Sequence, residues 1–176
     1  MRTLVLYASH YGSTKGIAER IGANLREQGL DVTVASTGED GDRVGLESFD
    51  AYVVGSAVHA GHWLKPAVEF VGNHKAPLAA RPAWLFSSGP IGEKYVHEPQ
   101  PDPAEIAELR QVLDVRDHVV FAGAFDPTTA DLTKGNWLER QVSKRFLPVG
   151  DFRDWPEIDA WANRIARELN AVAVAG

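Results

Sequence analysis

At 176 residues, with 44% hydrophobic and 24% charged side chains, the chain has the length and balance of one self-supporting globular unit, neither disordered nor collagen-like. Its formal net charge of -6 excludes a general nucleic-acid binder, because duplex affinity comes mostly from clustered Lys and Arg neutralising phosphates. There is no cysteine, so disulfides, thiolate metal sites and thiol nucleophiles are excluded, and any redox chemistry must be borrowed.

No apolar stretch approaches bilayer length, and Met1-Arg2-Thr3 runs straight into a short apolar strand, so a cytoplasmic protein is expected. The continuous run from Leu4 to Ala8 is too short for a helix and reads as a buried strand of a parallel sheet. From Ser13, Ile17, Ile21 and Leu25 recur every four residues beside Ala18, and Gly29 supplies a stop, which predicts an amphipathic helix. Val32 and Val34 alternate in a second strand, Asp31 to Ser36, and a polar Gly-rich connection runs from Thr37 to Gly45. Asp50 to Gly55 is a third strand, followed by a helix that holds Trp63, Val68, Phe70 and Val71 and takes Pro66 in its first turn. Trp84 to Phe86 is a fourth strand, and a stiff Pro-rich loop, Glu98 to Pro103, leads into a helix from Ala104 to Leu113. Val119 to Gly123 is the fifth. The last helix starts at Asp154-Trp155-Pro156-Glu157, where Asp154 can cap; it buries Ile158, Trp161, Ile165 and Leu169 and gives way to a weakly structured tail.

Strands alternating with helices imply a three-layer α/β sandwich, with a five-stranded parallel sheet in the order 2-1-3-4-5, helices on both faces and right-handed crossovers. We expect one domain over 1–176, with an extra segment at about 124–153 that includes a helix-like stretch from Asn136 to Phe146.

In such a sheet a ligand binds beyond the carboxyl ends of the strands, where strand order reverses, here between strands one and three. The loop after strand one is Ser9-His10-Tyr11-Gly12-Ser13-Thr14-Lys15. Unpaired N–H groups at a helix start favour an anion, hydroxyls add donors, and Gly12 lets the backbone curl, so the loop suits a phosphate. The plainer alternative is that Ser13 or Thr14 merely caps the helix. The Walker and dinucleotide glycine patterns are both missing, and a phosphoacceptor receiver would carry acidic residues where Ser9 and Ser56 stand. The loops after strands three and four, Gly55 to Trp63 and Ser87 to Tyr95, open on the same edge. Their glycines allow main chain to approach a flat ring, and His59, Trp63 and Tyr95 could flank it, although Trp63 could equally be core and Tyr95 a loop cover. His59 and His62 lack a third ligand nearby in sequence, so no metal is expected.

The stretch Tyr7 to Ala18 resembles the FMN phosphate loop and first helix of the flavodoxin superfamily. Val54 to His62 with Phe70-Val71, and Phe121-Ala122-Gly123-Ala124 before the extra segment, resemble the menaquinone-dependent protoporphyrinogen oxidase branch. The resemblance covers nearly the whole chain and implies a flavodoxin-like fold with FMN as cofactor. Ser9, Tyr11, Gly12, Ser13 and Thr14 would surround the phosphate. Ala57, Val58, His59 and Gly61, then Ser88, Gly89, Pro90 and Gly92, would border the isoalloxazine. The flavin would carry the chemistry, so no catalytic side chain is expected. The implied activity is oxidation of a porphyrinogen in heme biosynthesis with a quinone acceptor; the alternatives are a flavodoxin-type carrier serving a redox-protein partner and an NAD(P)H-linked quinone reductase. In the extra segment, Arg140 and Lys144 would share a helical face beside Trp137 and Phe146, near Lys134 and Arg145. That face could meet substrate carboxylates or the inner face of the membrane, or be a solvated basic surface.

Overall fold

In the computed structural model, which describes residues 1–96, 99–126 and 148–175, the first half of the chain runs through β1 (Arg2–Ala8), α1 (Ser13–Glu27), β2 (Asp31–Ser36), a short α2 (Glu39–Asp42), β3 (Ala51–His59), β4 (His62–Trp63), α3 (Lys65–Asn73) and α4 (Lys75–Ala79). The second half adds β5 (Pro82–Ser88), α5 (Ala104–Val112), β6 (Asp114–Phe121), β7 (Ala124–Phe125), β8 (Gly150–Asp151) and α6 (Trp155–Ala175). The long strands are parallel and lie in the order β2-β1-β3-β5-β6, which is the expected 2-1-3-4-5 once the two-residue β4 is set aside.

Alternate residues of each central strand feed two separate cores, as the period of a strand requires. Leu4, Leu6, Tyr52, Val54 and Leu85 pack with Phe70, Val71, Leu78 and Ile106 beneath α3, α4 and α5. Val5, Val53, Trp84 and Phe86 pack with Ile17, Ile21, Leu25, Trp161 and Ile165 beneath α1 and α6. Burial on both faces explains why these strands read as unbroken apolar runs. Gly55 is demanded by packing, since the Phe86 ring occupies the space a Cβ would need. On the outer surface Arg20 of α1 grips Asp159 of α6 with two hydrogen bonds of 2.7 and 2.6 Å, and Asn24 adds a third at 2.6 Å. No helix among the described residues is long and apolar enough to cross a membrane.

Several expectations are corrected. The third strand continues past Gly55 to His59 and turns back as a hairpin, with Val58 opposite Trp63 and His59 opposite His62. Its two-residue turn, Ala60-Gly61, has φ of 51° and 82°, the pair of positive values that a type I′ turn requires. Trp63 therefore lies in β4 and not in the following helix, which starts at Lys65 with Pro66 in its first turn. The fifth strand begins at Asp114 rather than Val119 and ends at Phe121. Its polar start hid it, yet an edge strand can carry such residues. Asp117 there accepts hydrogen bonds from Trp161 Nε1 (2.8 Å) and from the His118 N–H (2.8 Å), and a bulge between Ala83 and Trp84 shifts the register. The expected loose tail is helical as far as Ala175.

The capping expectation for α6 holds, because Asp154 Oδ1 accepts the Glu157 N–H at 3.0 Å. At the ends of the extra segment Ala124 pairs with Asp151 and Phe125 with Gly150, a small antiparallel ribbon placed beside the start of α1. The helix expected from Asn136 to Phe146, and the basic face of Lys134, Arg140, Lys144 and Arg145, lie outside the described residues.

Candidate functional site

β1, β3, β5 and β6 all end at one rim, and the loops that leave them there enclose a cavity of about 360 Å³. That is within the range of roughly 300–1,000 Å³ usual for small-molecule sites. From the first loop Ser9, Tyr11, Ser13 and Thr14 line it; from the hairpin, Ala57, Val58 and His59; from the third loop, Ser88, Gly89 and Pro90. Gly12, Gly61 and Gly92 do not line it. Gly12 serves by its backbone, with φ of 87° as the residue preceding α1, and Gly61 completes the hairpin turn. Gly92, at φ of 129°, turns the third loop toward Tyr95.

The first loop is arranged around unsatisfied donors. Ser9 Oγ accepts the Gly12 N–H at 3.0 Å, and the first helical bond is Gly16 N–H to Gly12 C=O at 3.0 Å. Among the described residues no side chain caps α1, and its leading N–H groups point out of the helix without an intrahelical acceptor. Neither hydroxyl is a cap, contrary to the plainer reading of the sequence. Ser13 Oγ accepts the Ala124 N–H at 2.9 Å and meets Ser88 Oγ at 3.3 Å, joining three loops of the rim. Thr14 is fully buried, lines the cavity, and its Oγ1 has no hydrogen-bond partner among the described residues. A buried hydroxyl without a partner is costly in a folded protein, and this one belongs to a residue at the cavity wall in the first turn of α1.

The other walls are largely apolar, with Ala57, Val58 and Leu64 on one side and Pro90, Ile91 and Tyr95 on another. Main-chain bonds fix their spacing: Gly89 N–H to Phe121 C=O at 3.0 Å and Gly123 N–H to Pro90 C=O at 2.9 Å. The hairpin is anchored from outside. Glu105 at the start of α5 accepts the Trp63 N–H at 2.9 Å and bonds His62 Nδ1 at 2.8 Å, and the Ala104 N–H reaches Gly61 C=O at 3.1 Å. Burial pushes the Glu105 carboxyl up, but the Trp63 N–H and His62 outweigh it and hold the group below the usual carboxylate range. His62 thus faces a carboxylate that sequence proximity did not reveal.

Trp63, considered as a ring flank, is core: 4% exposed, with Nε1 donating to Ser87 Oγ at 2.8 Å. Tyr95 does line the cavity. Residues not singled out as lining are His10, Ala60, Leu64, Ile91, Gly123 and Ala124. The last two directly follow a strand end on the same rim, a signal that was available. Leu64 had none. Among the described residues no group of three or more His, Asp or Glu forms a metal-binding cluster.

A family model described as a flavodoxin domain matches residues 4–142. The chain belongs to the flavodoxin-domain family. Membership indicates FMN as cofactor, and the rim fits that molecule in kind: the start of α1 with its neighbouring hydroxyls for a phosphate, and a largely apolar cavity for a planar ring. Among curated proteins, the chain is similar to the protoporphyrinogen IX dehydrogenase [quinone] of Escherichia coli K12, 29% identical over 94 residues that cover 53% of this chain. The chain spans about half the length, 51%, of that relative. Among solved structures it resembles an archaeal flavodoxin (23% identity, TM-score 0.58, covering 97% of this chain and 99% of the other). It also resembles a flavodoxin of Streptococcus pneumoniae TIGR4 (17%, TM-score 0.60, covering 96% and 99%). The rubredoxin oxygen:oxidoreductase of Desulfovibrio gigas is similar too (16%, TM-score 0.61, covering 97% of this chain and 36% of that one). At these identities the structures establish the fold.

Proposed function

We propose that this chain is an FMN-dependent oxidoreductase that oxidises a porphyrinogen and passes the electrons to a quinone. The observation that carries the cofactor half of this reading is the cavity at the start of α1, where no side-chain cap is seen among the described residues and the buried Thr14 hydroxyl at the wall has no partner among them. Ser9, Tyr11, Gly12, Ser13 and Thr14 would hold the phosphate; Ala57, Val58, His59, Ser88, Gly89 and Pro90 would border the ring, with Gly61 and Gly92 shaping the loops that carry them. When bound, FMN supplies the redox chemistry, accepting and releasing electron pairs or single electrons. The protein's part is to orient the ring, exclude water from the apolar walls and present main-chain groups to its polar edge.

Similarity to the quinone-linked dehydrogenase of E. coli supports the porphyrinogen and quinone half. The test is an anaerobic assay of FMN-loaded protein with protoporphyrinogen and menaquinone; porphyrin formation that requires the quinone is the expected result. A second reading is supported by the family model, whose description as a flavodoxin domain suits a carrier as well as an enzyme. Under it the chain carries electrons to a redox-protein partner. Absence of porphyrinogen turnover, with reversible single-electron reduction intact, would decide for the carrier.

A further inference from the structure

Behind the hairpin and the third loop runs a chain of buried polar groups that the proposed chemistry does not use. Trp63 Nε1 donates to Ser87 Oγ at 2.8 Å, Ser87 Oγ lies 2.9 Å from His118 Nε2, and His118 Nδ1 lies 3.0 Å from Asp102 Oδ1. Ser87 and the His118 side chain are fully shielded from solvent, whereas Asp102 is half exposed and stands 3.8 Å from Arg110. The four members come from four segments: β4, β5, β6 and the loop before α5.

The inventory of donors fixes the direction of the chain. A carboxylate only accepts, so Nδ1 of His118 carries a proton and Nε2 offers its lone pair; Ser87 must donate to Nε2 while accepting from the indole. Every group is matched when His118 is neutral in the Nδ1–H form. A second proton on Nε2 would aim two donors at Ser87 Oγ and leave the serine proton buried without an acceptor.

The order Asp–His–Ser suggests an acyl-transfer triad, and the geometry rejects it. Ser87 is wholly buried, does not line the cavity, and its oxygen is taken by the indole, so no substrate carbonyl can reach it. A proton relay is rejected as well, because the chain ends on an indole N–H, which only donates.

What the chain joins is the two loops that border the ring. Trp63 pairs with Val58 in the hairpin, and Ser87 immediately precedes Ser88 of the third loop. We propose that His118 is a positioning residue which, through Ser87 and Trp63, holds the hairpin and the Ser88–Ile91 loop at the spacing that admits the flavin ring, and that protonation of its imidazole releases this hold. The role rests on the FMN reading. The charged groups around the imidazole are Asp102 before α5, Arg110 on α5 and Asp117 on β6, with Asp154 and Glu157 bordering the same outer hollow. Burial opposes the imidazolium and Arg110 adds to that, while Asp102 and Asp117 favour it. Burial prevails, and the group titrates below the ordinary histidine range.

The experiment compares FMN dissociation constants of the wild type, His118→Gln and His118→Leu between about pH 8 and about pH 5, with thermal melts of the FMN-free proteins to establish that each is folded. Glutamine can accept from Ser87 and cannot titrate, so it should match the wild type at neutral pH. The ratio of wild-type to glutamine dissociation constants, which cancels titration of the FMN phosphate, should rise to about tenfold once the pH is low enough for nitrogen NMR to show the imidazole protonated, and the titration is carried in acid to that point. Leucine leaves Ser87 without an acceptor and should bind about tenfold more weakly at every pH. Nitrogen NMR of the wild type should report the Nδ1–H tautomer at neutral pH. A flat ratio, or a folded leucine variant that binds as the wild type does, overturns the role of His118 alone. A wild-type chain that takes up no FMN at any pH overturns the cofactor reading and this role with it.

Discussion

Replacing Thr14 by valine separates the two things its hydroxyl can do. Without ligand, Oγ1 is buried with no partner among the described residues, a desolvation cost on the order of 1–3 kcal/mol. Valine has nearly the same shape and a similar helix propensity, so little else changes. Thr14→Val should therefore stabilise the FMN-free protein by about 1 kcal/mol, which for a chain of this size raises Tm by about 2–4 °C. Toward FMN the sign reverses. A hydroxyl donating to a charged phosphate contributes about 1.5–3 kcal/mol, so FMN should bind roughly 10- to 150-fold more weakly. Riboflavin, which has the ring and no phosphate, should bind both proteins alike. Fluorescence titration with both flavins, beside a thermal melt of the free protein, reads all three effects. Unchanged FMN affinity would refute the assignment of Thr14 to the phosphate, and an equal loss for riboflavin would show that the substitution acts by packing alone.

Ala60 sits at φ of 51°, where a side chain costs about 1–2 kcal/mol; Ala60→Gly should regain a net ~0.5 kcal/mol after the added freedom of the unfolded chain. A higher urea midpoint at unchanged slope is the expected result, and a lower midpoint counts against the turn geometry. The hydrogen bonds from Arg20, aided by Asn24 and only partly opposed by burial, depress the Asp159 pKa. The stability it gives is complete above the unfolded-state value of about 3.9 and drains away as pH falls through the lower folded value. Melting temperatures of the wild type and Asp159→Asn should therefore differ at neutral pH and converge in acid; a constant gap would contradict the assignment. FMN affinity should change by less than about twofold between about 50 and about 500 mM salt, because the proposed phosphate site consists of neutral donors; a tenfold loss would instead require a free cation at the loop.

Buried strands and the periodic helices were plain in the sequence because their apolar residues carry the period of the element in which they lie, as at Leu4–Ala8 and at Ile17, Ile21 and Leu25. Elements whose stability comes from elsewhere were not. β6 begins with Asp114-Val115-Arg116-Asp117-His118; Asp117 and His118 are satisfied by Trp161, Ser87 and Asp102, partners distant in sequence, while Arg116 pairs with Asp114. The hairpin was hidden because alanine stands at the first turn position, where asparagine or glycine would have announced it. At the rim, the loop composition pointed to the right segments, since strand ends of one parallel sheet share an edge by topology alone. Which hydroxyls are engaged was beyond it: Ser13 is spent on Ala124 of the β7–β8 ribbon, a tertiary contact, while the adjacent Thr14 has no partner among the described residues.

An acidic chain with a phosphate loop poses an electrostatic problem that the described residues of the rim meet with neutral donors. Among the described residues, the cations flanking the start of α1 both have carboxylate partners. Lys15 stands 3.7 Å from Glu19, and Arg153 is held by Asp151 through bonds of 2.8 and 2.6 Å while its guanidinium lies 4.4 Å from the centre of the Trp155 ring. Those bonds, with partial burial opposing, keep the Asp151 carboxyl below its ordinary range. Arg153 also approaches Ser13 C=O at 3.5 Å and fills the space over Gly16, so it braces the first turn of α1 from outside. In the proposed reading, then, the phosphate is held by backbone dipoles and hydroxyls fixed in place before it arrives. Fixed neutral donors bond an anion at the depth where the helix ends and lose little to ionic strength. They also leave the net negative charge of the rest of the surface free to govern which partners approach the rim.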